Sequence, residues 1–408
     1  MIDVQKIKKD FPIYNRKIHG KPIIYLDSTA TALKPHCVID AVNTYYTKCT
    51  ANVFRGIYTI SEEATCAYEE ARASVADLIH GASSEIVFTR NTSESLNLLA
   101  YSWLPQHAGK GDRVVTTIME HHSNFVPWQQ MRKSLGYRFT LWNCSKEGIL
   151  DLTDLEQLVN KNTKLVTFTA VSNVVGTINP VKKITQMIKQ INPRCLVVVD
   201  AAQAVPHMPV DVVNWGADAI AFSSHKMLGP SGMGVLWMKK DLLDSMKPFL
   251  YGGDMIKEVH EMETVFNDTP HKFEAGTPFI EGAFGLGAAV KYLRNIGMKN
   301  VREHEKSITS YAYEKLTSVE GLTIYGPRDM DIHAGVLAFR MQGIHPHDIA
   351  QILNEDNICV RVGFHCAMPL HEYMGIGPTV RASFHIYNGK DDVDALVAGL
   401  KKVRKMFG

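Results

Sequence analysis

The chain has 408 residues, of which 45% are hydrophobic and 21% are charged, and its formal net charge at pH 7 is +2. This length exceeds one ordinary hydrophobic core and predicts two domains, while the balanced charge argues against nucleic acid or an anionic membrane surface as a partner. Because it shows no signal peptide and no apolar run of roughly 20 residues, we expect a cytoplasmic protein that does not enter a membrane.

The beginning of the chain predicts an N-terminal arm and the start of a larger domain. A short helix, Val4–Phe11, precedes an extended arm that ends near residue 20. The sequence YLDSTATALKP then predicts a strand that ends in small hydroxyl residues, which let a ligand approach the backbone closely. We take Thr29 as a candidate substrate contact, although capping of the predicted helix Val38–Tyr46 explains the same residues nearly as well.

A second set of hydroxyl residues follows the predicted strand Glu85–Thr89, which comes after a long amphipathic helix, Ser61–Ile79. The run Asn-Thr-Ser-Glu-Ser leads from this strand into an apolar helix, Leu96–Trp103. Free backbone amides and the helix dipole point at such a turn, so it can bind a phosphate group. Thr92 and Ser93 are the candidate phosphate ligands, and helix capping is an equally good alternative.

Two further predicted strands end in polar residues that are candidate ligand contacts. The strand Val114–Ile118 is followed by Glu-His-His-Ser-Asn, in which His121 can stack on a flat cofactor ring and move protons. Metal binding by His121 and His122 is the alternative, but no carboxylate or cysteine lies at the usual ligand spacing, so no metal is expected. The strand Leu165–Ala170 leads to Asn173, a candidate substrate contact.

The stretch from residue 196 to residue 237 carries the strongest signal. Its two apolar runs, Leu196–Val199 and Ala217–Phe222, predict buried strands. Asp200 closes the first run, and Lys226 follows the second after Ser-Ser-His; open parallel sheets bind ligands at such carboxyl ends. Pyridoxal phosphate requires a lysine for its Schiff base and an acid for its ring nitrogen, so this pair predicts that cofactor. A solvated loop lysine is the alternative.

Three neighbours of this pair are further candidate cofactor contacts. Gln203 can bind the phenolic oxygen of the cofactor, and Ser223 and His225 can bind its phosphate. The glycines of GPSGMG allow the chain to turn tightly after the lysine.

Strands and helices alternate to about residue 240, which predicts an α/β fold with a mostly parallel sheet. The helix Glu281–Gly297 is expected to lead into a second domain that ends with the helix Asp392–Met406. The strands predicted for this domain are Thr323–Tyr325, Gly335–Arg340 and Ile358–Val362. We therefore divide the chain into an arm that packs with the small domain (1–20), a large cofactor-binding domain (21–280) and a smaller α+β domain (281–408).

Cys366 differs from the other six cysteines, which are scattered without a disulfide-like framework. It lies in RVGFHCAMP, a short loop bracketed by glycine and proline. The neighbouring histidine and Arg361 favour the thiolate, so Cys366 is a candidate nucleophile. The alternatives are a buried thiol, which suits Cys359 better, and a poorly spaced zinc site built from Cys359, His365, Cys366 and His371.

Arg381, in Thr-Val-Arg-Ala-Ser-Phe, is the candidate anchor of a substrate carboxylate. A guanidinium group binds a carboxylate through two parallel hydrogen bonds. A purely structural arginine is the alternative, but the candidate thiol and the cofactor lysine favour the anchor.

With these motifs the chain resembles the Suf-type group of cysteine desulfurases, within the class V aminotransferase family of fold-type I pyridoxal phosphate enzymes. The resemblance runs from YLDSTATALKP to the last helix, and its specific motifs are MEHHSNFVPWQ, VSNVVGT, VDAAQAV, SSHKMLGPSGMGVLW, KFEAGTP, RVGFHCAMP and RASF. It implies a homodimer whose large domain has a mostly parallel seven-stranded sheet and whose small domain carries the thiol loop.

The resemblance also implies roles for the candidate residues. Lys226 and Cys366 would be catalytic, with His121 stacked on the cofactor ring as an acid–base partner. The implied cofactor contacts are Asp200 at the pyridine nitrogen, Gln203 at the phenolic oxygen, and Ser93, Ser223, His225 and the partner subunit's Thr277 at the phosphate. The implied substrate contacts are Asn173 and Arg381, with Arg361 near the same loop.

The implied reaction converts L-cysteine to L-alanine and leaves a persulfide on Cys366, which passes to a Suf-type acceptor protein for iron–sulfur cluster assembly. A selenocysteine lyase or a related β-eliminating lyase on the same fold is one alternative. A catalytically inactive assembly scaffold is another, and the intact Lys226, Asp200 and Cys366 argue against it.

The chain departs from the family at three positions where the family often has histidine, namely Phe54, Ala170 and Phe364. At these positions a change from histidine can alter proton relay, the behaviour of the Cys366 loop and the choice of acceptor protein. No residue with an implied covalent role is changed.

Overall fold

The computed structural model describes residues 2–407 of the chain. The strands of this part, numbered in chain order, are β1 (Lys17–Ile18), β2 (Lys21–Pro22), β3 (Ile24–Tyr25), β4 (Ile86–Thr89), β5 (Arg113–Thr117), β6 (Arg138–Trp142), β7 (Thr163–Thr169), β8 (Leu196–Asp200), β9 (Ala219–Ser223), β10 (Gly234–Met238), β11 (Ile256–Val259), β12 (Thr264–Phe266), β13 (Leu322–Tyr325), β14 (Val336–Met341), β15 (Ile358–Cys359), β16 (Arg361–Gly363) and β17 (Thr379–Ser383).

The α-helices of the same residues alternate with the strands in the first two thirds of the chain and surround a second sheet in the last third. They are α1 (Val4–Lys9), α2 (His36–Lys48), α3 (Thr59–Leu78), α4 (Thr92–Leu98), α5 (Leu104–His107), α6 (Val126–Leu135), α7 (Leu155–Leu158), α8 (Val181–Ile191), α9 (Val212–Trp215), α10 (Lys240–Ser245), α11 (Ile280–Ile296), α12 (Met298–Thr317), α13 (Pro346–Glu355), α14 (Met368–Met374) and α15 (Lys390–Phe407). Within residues 2–407, none of these helices has the length and apolar character needed to cross a bilayer.

A seven-stranded sheet forms the centre of the fold, in the order β4-β10-β9-β8-β7-β5-β6. Strand β10 runs antiparallel to both of its neighbours, and the other adjacent strands are parallel. This arrangement confirms the predicted α/β fold with a mostly parallel sheet. Strands β8 and β9 lie within two residues of the runs predicted for them.

The sheet is buried on both faces, which explains why its strands are continuously apolar. In β8, Val197 and Val199 belong to one hydrophobic cluster, whereas Leu196 and Val198 belong to another on the opposite face. Successive side chains of a strand point to opposite faces, so each face needs its own cover of helices. Helices α3 and α11 contribute to the first cluster, and α4 contributes to the second.

A smaller antiparallel sheet, β13-β14-β17-β16, forms the second part of the fold. Its apolar residues join those of α12, α13 and α15 in a separate cluster. The single strand predicted at Ile358–Val362 is in fact two strands, because β15 pairs with β3 whereas β16 pairs with β17. Strand β17, which holds Arg381, was not predicted.

Segments near both proposed domain boundaries pack across them. Leu26, next to β3, lies in the cluster of the small sheet, and α11 packs against α2 and α3 in the cluster of the large sheet. In the N-terminal arm, Lys8 forms an ion pair of 2.8 Å with Asp392 at the start of α15. At each boundary, a chain segment assigned to one part of the fold therefore packs in the hydrophobic cluster of the other part.

A buried group of ionisable side chains also lies between the two sheets. Glu305 of α12 is 1% exposed, and its Oε1 lies 2.9 Å from Nδ1 of His207, which follows β8. The same oxygen lies 3.2 Å from Nδ1 of His385, which follows β17. Burial raises the pKa of Glu305, but the two histidines outweigh it and lower this pKa to about 2. The carboxylate is therefore charged and joins the two parts of the fold.

Replacing Glu305 with glutamine is expected to lower the free energy of unfolding by about 3 kcal/mol at pH 7. The substitution removes the buried carboxylate charge and leaves its two histidine partners buried without it. The folded-state pKa lies below the unfolded value of about 4.3, so the stabilisation is present above that value and is lost as the pH falls toward the folded pKa. Urea unfolding at a series of pH values should show the two proteins converging between about pH 4 and the lowest pH at which both stay folded.

The matched control is Glu258→Gln, since Glu258 also faces a histidine, at 3.3 Å, but is exposed. Its effect should stay within about 0.5 kcal/mol. A loss of stability at Glu305 that is independent of pH, or no larger than the loss at Glu258, would contradict a charged interdomain contact.

Candidate active site

Asp200 and Lys226 lie at the carboxyl edge of the large sheet and line one cavity of about 480 Å³. Asp200 ends β8 and is buried, while Lys226 ends a single helical turn, Ser224–Lys226, that follows β9. Burial lowers the pKa of Lys226, although Asp200 opposes this shift. Burial likewise raises the pKa of Asp200 against the effect of Lys226. The arrangement brings an amine of lowered basicity and a carboxylate to the same space.

His121 lines the same cavity from the end of β5, where it precedes the turn His122–Asn124. Its Nδ1 accepts a hydrogen bond of 3.1 Å from the backbone amide of Ser123. Burial, followed by Lys226 and other nearby cations, lowers its pKa to about 3. The imidazole is therefore neutral at pH 7, and because Nδ1 is an acceptor the ring proton is assigned to Nε2.

Five side chains with polar groups form one wall of the cavity beside the start of α4. The Oγ of Ser223 accepts a hydrogen bond of 2.9 Å from the amide of Thr92 and lies 2.6 Å from its hydroxyl. The hydroxyl of Ser93 lies 2.6 Å from that of Ser123. His225 completes the wall, with a pKa lowered to about 4 by burial and by nearby lysines. The wall therefore offers several hydroxyl and amide groups to an anion.

Cys366 reaches the cavity from the small-sheet side of the fold, in the loop between β16 and α14. His365 and Cys366 both have positive φ, 50° and 56°, an uncommon conformation for residues other than glycine. Three hydrogen bonds hold this loop against the large sheet: His122 N to Cys366 O at 2.7 Å, Asn173 Nδ2 to His365 O at 2.7 Å, and Met368 N to His122 Nε2 at 3.2 Å.

The bracing of this loop places an exposed thiol at the mouth of the cavity. The large-sheet partners in these three hydrogen bonds are all next to or within the predicted site. The contacts therefore fix the position of the Cys366 loop relative to that site.

Two arginines line the cavity next to this loop. Arg381 is buried in β17, and its Nη1 donates a hydrogen bond of 2.8 Å to the carbonyl oxygen of Asn173. Arg361 lies in β16 with its side chain 48% exposed. Both guanidinium groups contact the carboxylate of Asp27. The cavity thus combines a lysine, a thiol and two guanidinium groups.

The structure brings most of the predicted site residues together. The residues that line the cavity are Thr29, Thr92, Ser93, His121, Asn173, Asp200, Ser223, His225, Lys226, Arg361, Cys366 and Arg381. Gln203 lies behind the lining, where its Nε2 donates to the carbonyl oxygen of Thr29 at 2.8 Å. Thr277 is exposed and lines a different cavity, so one chain does not bring it to the site.

Three further polar side chains in the lining were not predicted as site residues. Asn91, Ser123 and His365 line the cavity, and each lies within two residues of a predicted contact. Ser123 could have been found from its spacing to His121, because a hydroxyl two positions after a histidine can contact the same ring nitrogen; the observed distance is 3.0 Å.

The alternative zinc site is not formed. The Sγ of Cys359 donates to the carbonyl oxygen of Asn357 at 3.6 Å, and Cys359 does not line the cavity. Among residues 2–407, the side chains close enough to share a metal ion are those of His207, Glu305 and His385.

The three positions that depart from the family pattern lie in different surroundings. Phe54 packs edge-on against Tyr68, with ring centroids 5.7 Å apart, and lines a separate cavity. Ala170 is buried in the core behind the sheet edge. Phe364 packs edge-on against His371 at 5.4 Å within the thiol loop. Only Phe364 is therefore adjacent to Cys366.

Comparisons with known proteins show the family of the chain. The aminotransferase class-V family matches residues 24–396. A probable cysteine desulfurase of Halalkalibacterium halodurans is 44% identical over 408 residues, covering 100% of this chain and 99% of its own.

Two solved structures are similar along the whole chain. The cysteine desulfurase of Thermococcus onnurineus NA1 is 41% identical with a TM-score of 0.94, covering 100% of this chain and 99% of its own. The cysteine desulfurase CsdA of Escherichia coli is 32% identical with a TM-score of 0.92, and all of both chains is covered. The chain therefore belongs to the aminotransferase class-V family and, within it, to the cysteine desulfurases.

Proposed function

We propose that the cavity binds pyridoxal phosphate and that the chain is a Suf-type cysteine desulfurase. The residues present fit this cofactor. The Oε1 of Gln203 is buried without a hydrogen-bond partner, as expected for a side chain that awaits a polar group. Lys226 and Asp200 face one cavity, and the hydroxyl wall stands beside them. A buried amide oxygen without a hydrogen-bond partner costs free energy, so binding of a ligand that donates a hydrogen bond to it is favoured.

Bound pyridoxal phosphate supplies a carbonyl for Schiff-base chemistry and an electron sink for the substrate carbanion. In our proposal Lys226 attaches the cofactor and Asp200 pairs with its ring nitrogen. Gln203 holds its phenolic oxygen. The phosphate ligands in this proposal are Thr92, Ser93, Ser223 and His225.

Other residues act on the substrate, L-cysteine. Arg381 and Asn173 bind its carboxylate, with Arg361 and Thr29 beside them. Lys226 would hold the cofactor and would also be the base that removes the α-proton of the substrate; its lowered pKa makes the required neutral amine accessible. His121 is a neutral imidazole that donates through Nε2, and it would stack on the bound cofactor and return a proton to the substrate carbon.

Cys366 then accepts the sulfur. Its thiolate attacks the Sγ of the substrate, so an S–S bond forms as the Cβ–Sγ bond breaks. The electron pair of the broken bond remains on carbon, which takes up a proton and leaves as L-alanine. The balanced reaction is L-cysteine plus the Cys366 thiol giving L-alanine plus a persulfide on Cys366.

One observation carries this proposal: Lys226 and Cys366 line the same cavity although they come from different parts of the fold. A lysine alone would serve many reactions of this cofactor. A braced, exposed thiol in the same cavity suits a reaction in which sulfur moves to the protein and then leaves it.

We also propose the partners of this reaction. The chain acts as a homodimer, which is supported by the exposure of Thr277 away from the cavity of its own chain; Thr277 would then contact the phosphate in the partner subunit. An acceptor protein of the Suf type removes sulfur from the exposed Cys366 for iron–sulfur cluster assembly. All seven cysteines, which lie within the described residues, are unpaired, as in a reducing compartment such as the cytoplasm.

The proposal is tested by incubating the pyridoxal phosphate-loaded protein with L-cysteine and a reductant and measuring L-alanine and pyruvate. A desulfurase gives L-alanine in step with sulfide. Pyruvate as the main product would assign the chain to the β-eliminating lyases instead. A parallel reaction with L-selenocysteine that is faster and insensitive to Cys366→Ala would identify a selenocysteine lyase.

A further inference from the structure

Asp27 lies behind the two arginines of the cavity. Its side chain is 14% exposed, and it is not part of the lining to which Arg361 and Arg381 belong. Its backbone forms an isolated β-bridge with Ser383 at the end of β17, just after β3. The carboxylate is therefore fixed by backbone pairing at the junction of the two parts of the fold.

This one carboxylate contacts both guanidinium groups. Nε of Arg361 lies 3.1 Å from each oxygen of Asp27, and Nη2 lies 2.9 Å from Oδ2. Nη2 of Arg381 lies 3.4 Å from Oδ1. In residues 2–407 no other carboxylate forms an ion pair with either arginine. Asp27 is thus the shared counter-charge of the pair.

The contacts of Arg381 leave part of its guanidinium group free. Nη1 donates to the carbonyl oxygen of Asn173, Nη2 faces Asp27, and the buried Nε has no partner. A guanidinium group has five N–H donors in one plane. Two fixed contacts determine that plane, so they also determine the direction of the donors that remain for a ligand.

The charges of the two arginines and of Asp27 also favour a positioning role for Asp27. Burial lowers the pKa of Arg381 to about 10, Asp27 opposes this shift and Arg361 adds to it. Without Asp27 two like charges would face each other beside the cavity, and Arg361, which is half exposed, would be free to turn toward solvent. Like charges at such distances repel strongly in a partly buried site.

We propose that Asp27 is a positioning residue that orients Arg381, and holds Arg361 beside it, so that the α-carboxylate of an amino-acid substrate binds in a single orientation. This inference rests on the proposed function, because it takes Arg381 as the anchor of the substrate carboxylate. Asp27 itself does not contact the substrate.

The test compares two amines in the pyridoxal phosphate-loaded Asp27→Asn protein. L-Alanine carries the carboxylate and ethylamine lacks it, and the change in visible absorbance on binding gives a Kd for each. The Kd of L-alanine is expected to rise about 10- to 100-fold, which corresponds to one lost hydrogen bond between charged groups. The Kd of ethylamine is expected to change less than about twofold, and KM for L-cysteine should rise more than kcat falls.

Two further variants separate positioning from a general structural effect. Asp27→Glu keeps the charge and is expected to restore much of the affinity for L-alanine, which also keeps the test decisive if Asp27→Asn does not fold. In an Arg381→Lys background, Asp27→Asn should add less than about twofold to the Kd of L-alanine, since coupled residues are not additive. Asp356→Asn, a surface carboxylate paired with Lys21 and Lys402, is the unaffected control.

An equal loss of affinity for L-alanine and ethylamine, or an unchanged Kd for L-alanine, would overturn the proposal. L-Alanine formation from L-cysteine by the parent protein, measured in the same preparation, reports separately on the proposed function.

Discussion

Replacing Cys366 with alanine is expected to reduce the formation of L-alanine from L-cysteine roughly 1,000-fold or more while the bound cofactor keeps its visible absorbance. The reason is that Cys366 accepts the sulfur, whereas the cofactor lysine and its surroundings remain intact. The substrate should still bind and change the absorbance, because Arg381, which binds its carboxylate, and Lys226, which holds the cofactor, are both unchanged. The measurement is single-turnover L-alanine formation together with the absorbance spectrum.

The matched control is Cys37→Ala, which removes another exposed thiol outside the cavity. It should leave both readouts unchanged. Serine at position 366 should behave like alanine, because a hydroxyl group cannot form the S–S bond. If Cys366→Ala forms L-alanine at the parent rate, the sulfur does not pass through Cys366.

Replacing Lys226 with alanine should remove the absorbance of the lysine-bound cofactor and lower turnover by roughly 10⁴-fold or more, at the upper end of what loss of a general base costs. Lys226 has two tasks in the proposed reaction, attachment of the cofactor and removal of the α-proton, and no other lysine lines the cavity within the described residues. The spectrum of the purified variant, before and after added pyridoxal phosphate, checks the first task.

Lys34→Met is the control, because Lys34 is also largely buried and contacts the same turn, donating to the carbonyl oxygen of His225 at 2.9 Å. Burial lowers its pKa to about 8, a shift in the same direction as that of Lys226. The absorbance should persist in Lys34→Met even where its stability falls. Retention of the absorbance in Lys226→Ala, with loss in Lys34→Met, would mean that the cofactor lysine was misassigned.

The large sheet could be predicted because both of its faces are buried. Strands such as β8 and β9 are then continuously apolar and end where the polar ligand contacts begin, so Asp200 and Lys226 were visible in the sequence itself. The short strands β3, β15 and β16 were harder to predict. Two or three residues show no periodicity, and β3 pairs with β15, far away in the chain.

Most individual residues of the site could be predicted from the sequence, but the contacts between them could not. Arg361 and Arg381 could be proposed as anchors, since arginines suit carboxylates. The role of Asp27 could not be predicted, because an aspartate after a short strand occurs in many structural contexts. Its arginine partners also lie near the other end of the chain. The hydrogen bond from the His122 amide to the Cys366 carbonyl oxygen likewise cannot be predicted from the sequence, since every residue except proline offers both groups.

The most direct test of the account is the mass of Cys366 itself. The loaded protein is incubated with L-cysteine in the absence of oxygen and reductant, the remaining thiols are alkylated, and the peptide that contains Cys366 is examined by mass spectrometry alongside a measurement of L-alanine. We expect one added sulfur atom on Cys366 and one L-alanine released for each persulfide formed. An unmodified Cys366 together with free sulfide and pyruvate would contradict it.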